Sequence, residues 1–489
     1  MSTVLDLYDK ILNLSTGFIF GAGCITLRNL SDLLYIFLDS PQWNRIGMPL
    51  FMREHLTIKT ILLFFLPLIF MTELIQISHS ITNAFLARLA IPKETLAAFN
   101  IAFAFNITTG GITMASTQTG ISFITDWRSL HRVFRFIGTI VIVPFVIVEV
   151  VSFSPLGDIV FGHWMGASEA VVRQAKVSSA IMGFWTFPIF IRNLSYAMIL
   201  IRRKTIMITY ATLIRVVALV GFLALYSRWF NGALVGAMAT VSAMSIESVF
   251  MVIAARPFFK ELDRTAWSTT GYSDYWRFSW PLMLTQVTEN GVLFAVNAFL
   301  GRLVNPDLAL ASFGVVHGLI RVILAPLRNL VQTAQSLISH RDDLKVMFRF
   351  TAGLLLLYVG IIFALFYTSI QNWALGGVMG LTPELYRYCL PAVKLTYTIA
   401  VFWATAALLR GILIAMRKTG AIAVTAGIRL LVVVLIGSTT FFKPDVNGAV
   451  LGVLAIAGAF AAETFILGWR LWKQTKMPDP LFPDRSSSS

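Results

Sequence analysis

The string N-A-F-L-A-R-L at Asn83–Leu89 returns as N-A-F-L-G-R-L at Asn297–Leu303, 214 residues later. The same spacing pairs Pro67 with Pro281, Phe99 with Phe313 and Gln118 with Gln332. Further along, Phe184-Trp185 meets Phe402-Trp403, Arg192 meets Arg410, Arg203-Lys204-Thr205 meets Arg417-Lys418-Thr419, and Arg215 meets Arg429. Asn231-Gly232 meets Asn447-Gly448, and Glu247 meets Glu463. The spacing drifts only between 214 and 218, so insertions are small. A register kept over so long a stretch marks a duplicated unit.

Hydropathy says what each copy contains. Of the 489 residues, 57% are hydrophobic and 13% charged, against roughly a quarter charged in a soluble domain. Apolar runs such as Ile61–Met71, Ile140–Val148, Leu354–Phe366 and Ala449–Ala462 recur along the whole chain. With about 20 apolar residues needed per crossing, spans are expected near 59–87, 94–125, 133–154, 172–201, 205–227, 232–255, 276–301, 306–339, 346–371, 386–415, 419–441 and 447–470. Six crossings per copy return the chain to its starting side, so the copies run parallel about an axis along the membrane normal. The fold class is thus all-α and polytopic, with about twelve transmembrane helices in two parallel six-helix repeats.

The boundaries follow: an N-lobe over 57–258, a polar cytoplasmic linker over 259–274, a C-lobe over 275–474 and a disordered cytoplasmic tail over 475–489. Residues 1–56 read as interfacial helices or an extra span, because Arg28, Asp32 and several Gly and Ser interrupt their apolar run. With the N-terminus inside, 20 Lys and Arg lie at inside helix ends and 8 at outside ends. The positive-inside rule then puts both termini in the cytoplasm. A monomer in a plasma (bacterial inner) membrane is expected.

The net charge of +15 fits cationic loops facing anionic lipid, not nucleic acid. Cys24 and Cys389 are the only cysteines and His is sparse, so no disulfide framework or thiolate metal site is expected. No Walker-type G-x-x-x-x-G-K-[ST] occurs, so ATP does not drive transport directly. Asp342-Asp343, the nearest approach to a paired-carboxylate motif, reads as a solvated charge cluster beside Arg341 and Lys345. Neither an enzyme nor a cofactor-dependent protein is expected.

Charges inside a bilayer are expensive and those that persist line cavities or pair with each other. The first span carries Glu73, Gln76, Ser80 and Asn83 on one face. The seventh carries Gln286, Asn290 and Asn297 on one face, with Glu289 at its border. The eighth carries a stripe of His317, Arg321, Arg328, Gln332 and Gln335, broken by Pro326. Its counterpart, the second span, is neutral: Asn106, Thr109, Thr113 and Thr117 beside Gly110-Gly111. A basic wall selects an anion, because guanidinium binds carboxylate or phosphate bidentately. The expected substrate-binding residues are Arg321, Arg328, His317, Gln76, Gln286 and Asn290. Glu73 and Glu289 are the candidates for coupling to H⁺ or Na⁺, unless a nearby Arg makes them structural counter-ions. The repeated Arg192/Arg410 and Glu247/Glu463 read as structural, with Arg215/Arg429 as their partners. Glu149 reads as solvated, and Asn83/Asn297 and Arg88/Arg302 as caps or interfacial anchors.

Two six-helix lobes, Pro67 and Pro281 near the start of the first and seventh spans, and a Gly/Thr/Ser-rich second span ending in Gln118 resemble the multidrug/oligosaccharidyl-lipid/polysaccharide (MOP, MATE-like) exporter superfamily over about 59–473. S-W-P-L at Ser279–Leu282, V-N-A-F at Val296–Phe299 and V-N-G-A-V-L-G-V running to Ala462-Glu463 resemble its progressive ankylosis protein branch. That resemblance implies export of a small organic or phosphorylated anion by alternating access. Other branches imply a flippase for an anionic lipid-linked saccharide, or a proton- or sodium-coupled multidrug antiporter. The basic stripe argues against the last.

Overall fold

A bilayer offers a backbone amide no partner except another backbone group, so a spanning chain closes its hydrogen bonds within helices. The computed structural model describes residues 56–475 apart from 90, 166 and 266–269, and every regular element among them is helical. The N-terminal segment, the C-terminal tail and Cys24 lie outside the described residues.

The first half runs α1 (Ile58–Leu86), α2 (Pro92–Gly110), a 3-10 turn (Gly111–Met114), α3 (Ala115–Phe123), α4 (Trp127–Phe153), a π-helical turn (Asp158–Trp164), α5 (Glu169–Gly183), α6 (Thr186–Ile201), α7 (Ile206–Tyr226) and α8 (Ala233–Lys260). The second runs α9 (Tyr272–Leu300), α10 (Pro306–Leu324), a 3-10 turn (Ala325–Asn329), α11 (Leu330–Leu337), α12 (Arg341–Phe366), a π-helical turn (Asn372–Val378), α13 (Pro383–Lys394), α14 (Thr396–Ala415), α15 (Gly420–Gly437) with a terminal 3-10 turn (Ser438–Phe441), and α16 (Gly448–Thr475). The order is the same, and so are the irregularities. Each second span opens on a proline and breaks midway into a 3-10 turn. Each third span ends in a π-helical turn. Arg203 and Arg417 alone among described non-glycine residues have positive φ, 57° and 56°.

Eleven described helices or helix pairs are long and apolar enough to cross a membrane. Helix α9 is not among them, since Asp274, Arg277, Glu289 and Asn290 lower its hydropathy. It nevertheless has the 29 residues of α1 at the repeat spacing and supplies the twelfth crossing. The fourth and tenth spans are each two helices, broken after Gly183 and Lys394.

Small residues set the closest helix crossings. A Cβ on Gly236 would meet Phe99 at 2.7 Å, and one on Gly452 would meet Phe313 at 2.3 Å. These are matching glycines against matching phenylalanines, so both halves dock their last span on their second in the same way. Some helix starts are capped by side chains: Asp126 Oδ1 accepts from Ser129 N at 2.8 Å, and Thr57 Oγ1 accepts from Thr60 N at 3.2 Å. Asp343 belongs to this group. Its Oδ2 accepts from Ser339 N and His340 N, each at 2.9 Å, so it is a helix cap and not half of a solvated pair. Asp342 does lie exposed, 3.7 Å from Lys345. Glu149 also departs from the solvated expectation, since its Oε1 is buried against Gly183.

The lobes share apolar core at one end only. Phe64, Phe65, Leu68, Phe123, Ile137, Met198 and Phe258 join one cluster with Tyr275, Leu327, Leu337 and Phe350 of the C-lobe. The other end of the N-lobe, with Leu86, Phe99, Phe161, Leu223 and Val235, forms a separate cluster. The described part of the linker is held to the N-lobe: Trp127 N donates to Asp263 O at 2.9 Å, Arg202 pairs with Glu261 at 2.8 Å, and Arg264 covers the Trp127 ring.

Candidate functional site

Each lobe carries a buried ion network where its first, fourth, fifth and sixth spans meet. In the C-lobe, Arg410 grips Glu463 bidentately, Nε to Oε1 at 2.7 Å and Nη2 to Oε2 at 2.8 Å. Its remaining Nη1 donates to Glu289 Oε1 at 2.6 Å. Arg429 Nη1 donates to the same oxygen at 3.1 Å, and its Nη2 reaches Thr288 Oγ1 at 3.0 Å and Thr285 O at 3.2 Å. Arg328 Nη2 closes on Glu289 Oε2 at 3.2 Å. In the N-lobe, Arg192 and Arg215 both contact Glu247 Oε2, at 3.4 and 3.3 Å, and Thr212 donates to its Oε1 at 3.1 Å. The structural pairing expected for the repeated Arg and Glu residues, with Arg215 and Arg429 as partners, is present in both lobes. Glu289 is thereby met by three guanidinium groups, the arrangement of a counter-ion and not of a free carboxylate.

The cleft between lobes is built from α1 and α9, each crossing the broken second span of the other half. At Gly111, where α2 gives way to its 3-10 turn, a Cβ would lie 3.6 Å from Gln286 Cβ and 4.0 Å from Asn290 Nδ2. The glycine therefore admits the α9 stripe to the seam. Opposite, Gln76 Nε2 of α1 lies 3.5 Å from Arg321 O of α10. Gln76, Gln286, Asn290 and Arg321 are thus brought to the interlobe seam, and His317 follows one turn before Arg321. Arg321 lies within electrostatic range of His79, His317 and Arg328. The Arg321 residue is exposed, and its guanidinium has no hydrogen-bond or ion-pair partner among the described residues. Arg328 is divided between cleft and network, with its side chain 63% exposed while bonded to Glu289. Glu73 is half-buried on α1 and has no ion pair among the described residues.

One seam residue went unnoticed in the sequence. His79 stacks on Phe103 at 4.6 Å and lies 3.4 Å from Asn83 Nδ2. It sits three positions after Gln76 and four before Asn83, so the stripe on α1 already pointed to it. Asn83 is correspondingly a partner of His79, whereas Arg302 stacks over Phe299 and bonds Ala298 O at its helix end, as an anchor does.

One end of the cleft is closed by polar contacts between lobes. Asn329 Nδ2 donates to Leu68 O at 2.9 Å and Thr72 Oγ1 at 2.8 Å. Gln335 Nε2 donates to Gln118 O at 2.8 Å and Ser122 Oγ at 3.0 Å. Thr119 and Ser279 hydroxyls meet at 2.8 Å, and Tyr196 Oη donates to Gln332 Oε1 at 2.6 Å. Arg417 covers the Phe123 ring and bonds Ser122 O. These contacts coincide with the shared apolar core. The cleft is therefore shut at the end where α1 and α9 begin and parted at the end where they finish.

Several solved structures share this architecture. A MATE protein in complex with MaD3S superposes with a TM-score of 0.69 at 14% identity, over 86% of this chain and 97% of that one. A MOP superfamily transporter from Pyrococcus furiosus, whose binding pocket is described as of reverse polarity and suggestive of a different function, gives 0.66 at 14% identity, over 86% and 97%. The eukaryotic MATE transporter AtDTX14 gives 0.65 at 13% identity, over 85% and 95%. No family model matches this sequence, and no curated protein matches it. At such identities the likeness is one of fold: the chain has the two-lobed, multi-pass membrane fold of the MATE transporters.

Proposed function

We propose that this chain is a secondary transporter of the MOP superfamily that exports a small organic or phosphorylated anion. It works by rocking its two lobes about the central cleft. The observation that carries the reading is Arg321, an exposed residue on the seam whose guanidinium has no acceptor among the described residues. A cation kept at membrane depth without a partner is costly, and a carboxylate or phosphate supplies the acceptors it lacks. Arg328 adds a second cation beside it. Gln76, Gln286, Asn290 and His317 furnish neutral donors and acceptors to orient the substrate. A neighbour of the same fold is described as having a binding pocket of reverse polarity that suggests a different function, which accords with a fold that admits pockets of either polarity.

In this reading Glu289 anchors the network and Glu73 carries coupling to H⁺ or Na⁺. The charge bias at helix ends supports cytoplasmic termini, and with that orientation the closed end of the cleft faces inward. The short strings like those of the progressive ankylosis protein branch support an anionic metabolite over a lipid-linked saccharide.

The test is transport of candidate carboxylates and phosphates in proteoliposomes. Arg321→Gln is expected to weaken apparent substrate affinity by roughly 10- to 100-fold, as loss of a charge-assisted bond does. Arg321→Lys should recover only part, because a point charge lacks the guanidinium fork. Unchanged transport by a well-folded Arg321→Gln protein would remove Arg321 from the site and the reading with it.

A further inference from the structure

The two ion networks are built alike, and each has one guanidinium more than it has carboxylates, but they place that excess differently. In the C-lobe, the buried Arg410 and Arg429 face two carboxylates, Glu463 and Glu289, and the third guanidinium on Glu289 is that of Arg328, whose side chain is 63% exposed. In the N-lobe, Arg192 and Arg215 face Glu247 alone. The position on α1 at the repeat spacing from Glu289 is Ile75. The N-lobe network thus carries its excess positive charge on two enclosed arginines, where the C-lobe carries it on the exposed Arg328, and no other described carboxylate is within ion-pair distance of Arg192 or Arg215.

The geometry carries the mark of a missing acceptor. Arg410 spends its fork on Glu463 at 2.7 and 2.8 Å. Arg192 instead turns Nε and Nη2 to the neutral Asn193 Oδ1, at 3.3 and 3.0 Å, and reaches Glu247 only at 3.4 Å. Arg215 sends its second nitrogen to Ser78 Oγ at 3.4 Å. For Arg192 a neutral oxygen, at 3.3 and 3.0 Å, thus stands where Arg410 has a charged one, while the second nitrogen of Arg429 meets neutral threonine oxygens much as that of Arg215 meets Ser78. The side chains of Arg192 and Arg215 are 14% and 9% exposed, so the excess charge is largely desolvated yet not sealed off. An unpaired charge in such surroundings is strongly disfavoured unless a counter-ion joins it.

We propose that the N-lobe network binds a small inorganic anion, of the chloride class, between Arg192 and Arg215, in place of the carboxylate that Glu289 supplies to the C-lobe. The site is distinct from the Arg321 cleft and does not depend on the transported substrate.

Thermal unfolding of the purified protein, in sodium chloride against sodium gluconate at equal ionic strength, tests it. Chloride is expected to raise the midpoint saturably, as a ligand of the folded state does, and Arg321→Gln should keep that rise. Ile75→Glu, which restores the missing carboxylate, should raise the midpoint in gluconate and abolish the response to chloride. Ile75→Gln should leave the response intact. Arg192→Gln removes the excess charge and should abolish it as well, which decides the matter if Ile75→Glu does not fold. Equal midpoints in chloride and gluconate for the unaltered protein, or a response that survives Arg192→Gln, would overturn the proposal. A response lost in Arg321→Gln alone would move the anion to the cleft and overturn it equally.

Discussion

Glu289 and Glu73 show how little a residue's place in a stripe says about its partners. Helical phase puts Glu289 at the border of the polar face of α9, but its partners come from 39, 121 and 140 residues away in the chain. Only folding brings them. Arg410 and Arg429 share one oxygen of that carboxylate, so Glu289→Gln leaves two buried guanidiniums short of charge. Breaking a buried pair from one side costs about 3–5 kcal/mol. Glu289→Gln is expected to lower the thermal midpoint well below that of Glu73→Gln, which severs no described ion pair. The comparison is made by unfolding both purified variants in the same detergent; equal midpoints would show that the network contributes nothing to folding. Arg321 is the converse case. Its type and phase were legible, and the structure adds that it alone of the inward arginines keeps its guanidinium unengaged among the described residues.

At the scale of elements, the broken second span is the clearest link between sequence and architecture. The two halves reach the same 3-10 interruption by different means. In the first, Gly110-Gly111 loosens the helix and lets α9 approach. In the second, Pro326 removes an amide and forces the break. A proline in a span is readable as a kink, whereas a glycine pair is readable only as permission. The close crossings of α8 with α2, and of α16 with α10, were less visible, since glycine in an apolar helix has many uses. Their test is steric. Gly452→Ala must displace the buried Phe313 ring, and overpacking of this kind costs about 1–3 kcal/mol. Gly427→Ala, on α15 with nothing within 4 Å of the added methyl, is expected to be neutral or slightly stabilising. Thermal stability of the two variants, read by fluorescence-detected gel filtration, separates them; equal values would mean that the crossing relaxes without strain.

For the whole molecule, the decisive feature is that the lobes touch at one end. Under the proposed rocking of the lobes, the contacts made by Thr119, Ser279, Asn329 and Gln335 must break in each cycle. In a protein with Cys24 and Cys389 replaced, Thr119→Cys with Ser279→Cys is expected to form a disulfide on mild oxidation. That bond should stop transport and release it on reduction. A cross-linked protein that still transports would show that this end of the cleft never opens.

Composition, the repeat spacing and the even number of crossings determined that the chain is a helical membrane protein of two parallel halves, because hydropathy and duplication are local or periodic and survive in a string of letters. The alignment of His317 with Arg321 was legible from helical phase, whereas Arg328 lies beyond the break of the span in a 3-10 turn. Which carboxylate meets which arginine, that the N-lobe network lacks the acceptor its twin possesses, and which end of the cleft is shut were decided only by tertiary structure. Each is a relation between side chains on different helices, set by how the helices pack, and no periodicity along one chain segment encodes it.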